Sequence, residues 1–205
     1  MTVALITGFT GMVGSHLADY LLENTDWEIY GMCRWRSPID NIRHLIPRIN
    51  SNDRVAMVDG DLTDYASLVQ VIDQVRPDYV FHLAAQSYPK TSFSSPLMTL
   101  DVNIIGTARL LDAILRHPDV DPVVHVCASS EVFGRVSQEK LPINEECNFH
   151  PASPYAISKV GTDLIGRYYG EAYGMKTVTT RMFTHTGPRR GDVFAESTFA
   201  KQIAM

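Results

Sequence analysis

The sequence predicts an α/β fold of the Rossmann type, a doubly wound parallel sheet with helices on both faces. Three observations predict it. Short apolar runs alternate with helix-period segments along the 205 residues. Several runs are apolar without a gap, as expected of strands buried on both faces. A glycine-spaced turn follows the first run and opens the first helical segment.

Taken in order, Val3-Ala4-Leu5-Ile6 reads as the first strand, Glu28–Met32 as the second and Arg54–Val58 as the third. Residues 64–75 predict a helix with Tyr65, Leu68, Val69, Ile72 and Val75 on its inner face. Tyr79–Leu83 is the fourth strand. Residues 97–115 predict a helix burying Leu97, Leu100, Ile104, Ala108, Leu111 and Leu115. Val123–Val126 is the fifth strand. Residues 155–173 form a third long helix, with Ile165, Tyr169 and Tyr173 inward, and Thr177–Thr180 is the last strand. Short connections between such units predict right-handed crossovers. The longest irregular stretch, Gly134–Pro154, is rich in Pro, Asn and Glu, and a loop that long is more often functional than idle. Phe199–Met205 reads as a helix without a stop signal. This predicts a fragment, with residues 1–182 forming the dinucleotide-binding domain and 183–205 the start of a truncated substrate-binding region.

Composition excludes several classes. At 45% apolar and 20% charged, the chain is an ordinary globular sequence. No apolar run reaches the ~18–20 residues of a membrane span, and the N-terminus lacks the basic and cleavage features of a signal peptide. A net charge of −5 gives no reason to expect a nucleic-acid partner. Cys33, Cys127 and Cys147 form no CxxC pair, which fits a reducing cytoplasm. The seven histidines show no close His-x-x-x-His spacing, so no metal site is expected.

The turn Thr7-Gly8-Phe9-Thr10-Gly11-Met12-Val13-Gly14 carries glycines that allow a tight bend, close approach of backbone N–H groups to a pyrophosphate, and close helix–sheet packing. About 20 residues on, an NAD enzyme would place a carboxylate on the ribose. This chain has Arg34 and Arg36 there, and guanidinium groups suit a 2′-phosphate, so the cofactor reads as NADP; a solvated pair of surface arginines is the plainer alternative. Tyr155 and Lys159 stand four apart at the start of a helix, on one face. A nearby ammonium stabilises a phenolate, so the spacing predicts a lowered tyrosine pKa and a group able to move a proton to or from an alcohol oxygen. Ser129, Ser130 and Glu131 follow the fifth strand, where a doubly wound sheet faces its ligand crevice. The same residues would also suit a polar strand cap with Glu131 in water.

Together these motifs, with Asp59-Gly60-Asp61-Leu62 and His82-Leu83-Ala84-Ala85-Gln86-Ser87, resemble the extended short-chain dehydrogenase/reductases that act on nucleotide sugars. The likeness runs over essentially the whole chain. Within that family it is most similar to the GDP-mannose 4,6-dehydratase group, on Leu83–Ser87, Arg34 and Arg36, Glu131, and Pro188-Arg189-Arg190-Gly191 before Phe194. The resemblance implies that Gly8, Phe9, Thr10, Gly11, Met12, Val13 and Gly14 hold the pyrophosphate and that Arg34 and Arg36 hold the 2′-phosphate. Asp61 and Leu62 would flank adenine. Leu83, Ala84, Ala85, Gln86 and Ser87 would line the ribose and nicotinamide, with Lys159, His185 and Arg190. Ser129, Glu131, Tyr155 and Lys159 would be catalytic, and Ser87, Lys90, Ser130 and Thr184 would meet the substrate. It also implies GDP-mannose as substrate, a lyase reaction and a homo-oligomer, dimer or tetramer. Thr184-His185-Thr186-Gly187 departs from the group's pattern and is similar to the related 4-keto-sugar reductases, so a reductase or epimerase of the same fold is the alternative enzyme. A non-catalytic NADP-binding module is the alternative of another class.

Overall fold

A computed structural model describes all 205 residues. Its elements run β1 (Val3–Thr7), α1 (Met12–Asn24), β2 (Glu28–Cys33), α2 (Ile46–Asn50), β3 (Val55–Asp59), α3 (Tyr65–Val75), β4 (Tyr79–His82), α4 (Pro89–Ser94), α5 (Pro96–Leu100), α6 (Gly106–Leu115), β5 (Val123–Cys127), α7 (Pro154–Tyr173), β6 (Thr177–Thr180) and α8 (Ala195–Ala204). The six strands form one sheet in the order β3-β2-β1-β4-β5-β6, with every pair parallel. All strands therefore end at the same edge. The order reverses between β1 and β4, and a crevice opens at such a switch point.

Alternation along the strands builds two cores. Leu5, Val58, Val80, Val124 and Val126 face α3 and α6, where they meet Leu68, Ile72, Leu110 and Leu111. Ala4, Ile6, Ile29 and Val55 face the other way, onto Ala18, Leu21 and Leu22 of α1 and onto Ile42 and Leu45 of a 3-10 turn, Asp40–Leu45. Full burial of each large side chain contributes about 1.5–3 kcal/mol. Helix ends are set locally. The Asp64 carboxylate accepts from Ala66 N at 3.0 Å to start α3. The Ser153 hydroxyl accepts from Ala156 N at 3.0 Å to start α7, with Pro154 in the first turn. No helix is long and apolar enough to cross a membrane.

The six expected strands are all present within a residue or so, but two helix faces differ from expectation. Residues 96–115 form a continuous helix interrupted by a π turn at Asp101–Ile105. The wider turn rotates the helix between its halves. Leu97 and Leu115 are consequently exposed, while Asn103, Thr107, Leu110 and Ile114 turn inward. In α7 Ile165 and Tyr169 pack against the core as expected, but the fully buried face is Tyr155, Ala156, Ser158, Lys159, Thr162, Asp163 and Gly166, and Tyr173 is exposed. Small and polar residues let this helix approach β5 and β6 closely: a Cβ on Gly166 would lie 2.9 Å from Thr179 Oγ1 and 3.2 Å from a Val126 methyl.

Candidate nucleotide-binding and catalytic site

A cleft of about 1050 Å³ opens at the shared strand ends. One wall is the turn after β1. Gly8 has φ +72°, and a Cβ there would lie 2.8 Å from Ala84 N; a Cβ on Gly14 would lie 2.4 Å from Gly8 O. Larger residues would therefore force this turn apart. Helix α1 starts at Gly11 with no side chain capping its first amides, which leaves the end of the helix dipole facing the cleft. Thr10, Met12 and Val13 line the same wall. Phe9, expected in the same set, does not line the cleft: its ring is fully buried in the core and its N–H donates to Met32 O.

The segment after β4 runs along the cleft in extended fashion. Leu83, Ala85 and Ser87 line it, whereas Ala84 packs into the core and Gln86 is turned aside, its N–H donating to Asn103 Oδ1 at 2.8 Å. Alternate residues of an extended segment face opposite ways, which corrects the expectation that all five line the cleft. Lys90, exposed on α4, is not part of the lining; Pro89 is.

Across from the glycine turn lie the residues expected to be catalytic. Ser129, Ser130, Glu131, Tyr155 and Lys159 all line this cleft. A 3-10 turn at Ser130–Phe133 presents Glu131, and the Ser129 hydroxyl caps that turn by accepting from Glu131 N at 3.2 Å. Ser130 N donates to Met182 O, fixing the turn to the chain beyond β6. Burial pushes the Glu131 carboxyl above its ordinary value. The Tyr155 phenol is pushed up to about 12, chiefly by burial, opposed by a hydrogen bond with Ser129 and reinforced by the Glu131 charge. This corrects the expected lowering by Lys159. The Lys159 ammonium donates to Cys127 O at 2.8 Å, and its own pKa is lowered by burial.

The far end of the cleft is closed by residues 183–196. Thr184, His185 and Arg190 line it as expected, together with Phe183, Asp192 and Phe194. Arg190 stacks on the Phe194 ring at 3.8 Å, donates to His185 O at 3.0 Å, and keeps a buried Nε with no protein partner. This segment is tied back to the glycine turn. Asn41 Nδ2 donates to Thr10 O and to Arg189 O, and Arg189 pairs with Asp19 of α1 at 2.6 Å. No motif in the sequence marks Asn41, a half-buried residue of the 3-10 turn Asp40–Leu45. Arg34 and Arg36 lie apart, in a depression of about 600 Å³ shared with Asp59, Gly60 and Asp61. Leu62 does not reach it, because its side chain is buried against Gly106.

With this geometry established, comparison with known proteins places the chain. A family model described as GDP-mannose 4,6 dehydratase matches residues 5–205. The chain belongs to the GDP-mannose 4,6-dehydratase family. Among members of this dehydratase family, the GDP-mannose 4,6 dehydratase of Drosophila melanogaster is 39% identical, covering 98% of this chain and 52% of the relative. That of Homo sapiens is 38% identical, with 98% and 55% covered. The chain thus spans about half the length of the curated relatives it matches. Among solved structures, DesIV, a dTDP-glucose 4,6-dehydratase from Streptomyces venezuelae with NAD and TYD bound, superposes with a TM-score of 0.87 at 26% identity, covering 99% of this chain and 62% of that one. RMD from Pseudomonas aeruginosa complexed with NADPH gives 0.78 at 30% identity, with 100% and 61% covered. Both superpositions extend over nearly the whole of this chain.

Proposed function

We propose that the protein is an NADP-dependent nucleotide-sugar 4,6-dehydratase acting on GDP-mannose to give GDP-4-keto-6-deoxymannose. The observation that carries the reading is that Ser129, Glu131, Tyr155 and Lys159 share one cleft with the glycine turn.

The residues present fit a dinucleotide. The turn at Gly8 and Gly14 leaves room where any Cβ would clash, the start of α1 offers uncapped amides to a pyrophosphate, and the buried Arg190 Nε lacks a protein acceptor. Arg34 and Arg36 favour a 2′-phosphate over a bare ribose, in keeping with the NADPH held by the Pseudomonas relative. Residues 1–182 would hold the cofactor and residues 183–205 would begin the substrate side, where Ser87, Ser130 and Thr184 line the cleft.

When bound, the nicotinamide supplies a hydride acceptor for carbon 4 and a hydride donor for carbon 6. The chain's own groups handle protons. Tyr155 Oη would take the proton of the 4-hydroxyl once the positive charge of the oxidised cofactor offsets the burial that holds its pKa up to about 12, with Ser129 hydrogen-bonded to the same oxygen. The Lys159 side chain is held on Cys127 O at the same wall of the cleft. A ketone at carbon 4 acidifies the carbon 5 hydrogen, which Glu131 would remove before protonating the departing 6-hydroxyl; the proton taken by Tyr155 then balances the one that carbon 5 gains when hydride returns to carbon 6. A carboxyl raised by burial suits a group that must accept and then release a proton. The three cysteines are free, in keeping with a cytoplasmic enzyme. Exposed Leu97, Met98, Ile105, Ile157, Leu164 and Tyr168 on the adjoining α5, π turn and α7 support a homo-oligomer.

The test is incubation of the full-length protein with GDP-mannose and no added NADPH. Loss of one water from the nucleotide sugar by mass spectrometry is expected. Untouched GDP-mannose, with turnover of a 4-keto sugar instead, would favour the reductase reading suggested by Thr184–Pro188. Glu131→Gln should abolish water loss and leave NADPH binding intact; equal loss of both would remove Glu131 from its role.

A further inference from the structure

We infer that His82 is a positioning residue: through two threonine hydroxyls it fixes the glycine turn after β1, the Leu83–Ser87 segment and the start of α7 relative to one another, and so sets the separation of the walls that hold the dinucleotide. The inference rests on the cofactor reading above and deepens it.

The hydrogen bonds can be assigned donor by donor. Thr7 Oγ1 accepts from Leu83 N and from Ala84 N, both at 3.1 Å. Its two lone pairs are spent, so its proton goes to His82 Nδ1 at 2.9 Å. His82 must then carry hydrogen on Nε2, which donates to Thr107 Oγ1 at 3.0 Å. Thr107 passes its own proton to Asn103 O at 2.6 Å, in the π turn. The Asn103 side chain accepts from Gln86 N at 2.8 Å and donates to Gln86 O at 3.0 Å and to Ser158 Oγ at 2.8 Å. Ser158 donates to Tyr155 O at 2.6 Å. One unbroken chain thus joins the residue before Gly8, the segment that includes Leu83, Ala85 and Ser87, and the backbone of the residue expected to move the 4-hydroxyl proton.

Thr7, His82, Asn103, Thr107 and Ser158 are all buried, and none of them lines the cleft. Burial, followed by the nearby Lys159 and His125 charges, holds the imidazole pKa down to about 3, so a single neutral tautomer serves at every working pH. Neighbouring inward positions of β4 and β5 are Val80, Val124 and Val126, which pack without any polar demand. A buried polar chain is not needed for core stability there; what it adds over an aliphatic side chain is direction. It fixes which donor meets which acceptor between segments 75 residues apart in sequence.

The experiment uses the 205-residue chain, with NADPH fluorescence and calorimetry with adenosine 2′,5′-bisphosphate as two probes. The bisphosphate meets the Arg34 and Arg36 depression and, through its 5′-phosphate, only the edge of the glycine turn; it carries no second phosphate and no nicotinamide to reach the Leu83–Ser87 wall. His82→Phe and Thr107→Val should each weaken NADPH by about tenfold while shifting the bisphosphate by less than about twofold. His82→Gln should recover part of the loss, because a carboxamide keeps one donor and one acceptor. Unchanged NADPH affinity in both variants, or equal weakening of both probes, would overturn the inference. Should His82→Phe fail to fold, Thr107→Val decides alone. Failure of the unsubstituted chain to bind NADPH would instead overturn the cofactor reading, and this inference with it.

Discussion

Replacing Asp163 with alanine should cost about 3–5 kcal/mol of stability. The Asp163 side chain is 1% exposed and accepts from Arg181 Nε at 2.8 Å and from Arg181 Nη2 at 3.3 Å. Arg181 is itself only 14% exposed, stacks on Phe149 at 4.7 Å and lies 5.4 Å from the Phe133 ring, and donates through Nη1 to Glu145 O. Without the carboxylate its charge stays in a low-dielectric site with two of its three hydrogen bonds lost, and that term dominates. Arg167, the second partner at 2.9 Å, is 45% exposed and can turn to water, so its share is at most about 1 kcal/mol. For a chain of 205 residues each kcal/mol lowers Tm by roughly 2–4 °C, which gives a drop of about 6–20 °C. Urea and thermal unfolding followed by circular dichroism measure it. The double variant Asp163→Leu/Arg181→Met, which removes both charges, should regain most of the loss. A cost below about 1 kcal/mol for Asp163→Ala, or a double variant no better than the single one, would refute the reasoning.

Three further outcomes follow from the site. His82 has a folded pKa of about 3 against an ordinary value of about 6.5, so its contribution is complete above pH ~6.5 and is lost as pH falls, at up to roughly 1.4 kcal/mol per pH unit; His82→Gln should flatten that slope in urea titrations between pH ~6.5 and ~5. Arg34→Ala combined with Arg36→Ala should cut the preference for NADPH over NADH by about tenfold or more, read by fluorescence titration, and a preference left intact would remove both residues from phosphate recognition. Gly14→Ala places a methyl carbon 2.4 Å from Gly8 O, against backbone that cannot swing away, and should lower stability by about 1–3 kcal/mol and weaken nucleotide binding together.

Most strands were legible because they are short, apolar and bounded by turns, and because parallel strands buried on both faces leave little else for such runs to be; β6, Thr-Val-Thr-Thr, rested on its β-branched residues. That Ser129, Glu131, Tyr155 and Lys159 would share one cleft was legible for a related reason: they sit at strand and helix ends that a doubly wound sheet directs to one edge. Helical periodicity failed where the helix itself departs from 3.6 residues per turn, at Asp101–Ile105, and where close packing demanded small residues, at Ser158, Thr162 and Gly166. The Tyr155 environment was unreadable because spacing along a helix says which face a lysine shares but not that its ammonium is taken by Cys127 O. The Thr7–His82–Thr107 chain was hidden for a similar reason. Its partners lie 75 and 25 residues apart, and a polar residue ending an apolar strand looks the same whether it meets water or another strand.

The extra residue accommodated in the π turn acts as a phase shifter. Upstream of it the helix shows one side to α7, and downstream it shows another to α3. Deleting any single residue between Asp101 and Ile105 would heal the hydrogen-bond ladder into a regular coil, yet it would swing one half by about 100° against the other. Either Asn103 would lose Gln86 and Ser158, or Leu110 and Ile114 would leave the core. A locally better helix would thus make a worse fold, and length in this segment is as constrained as chemistry.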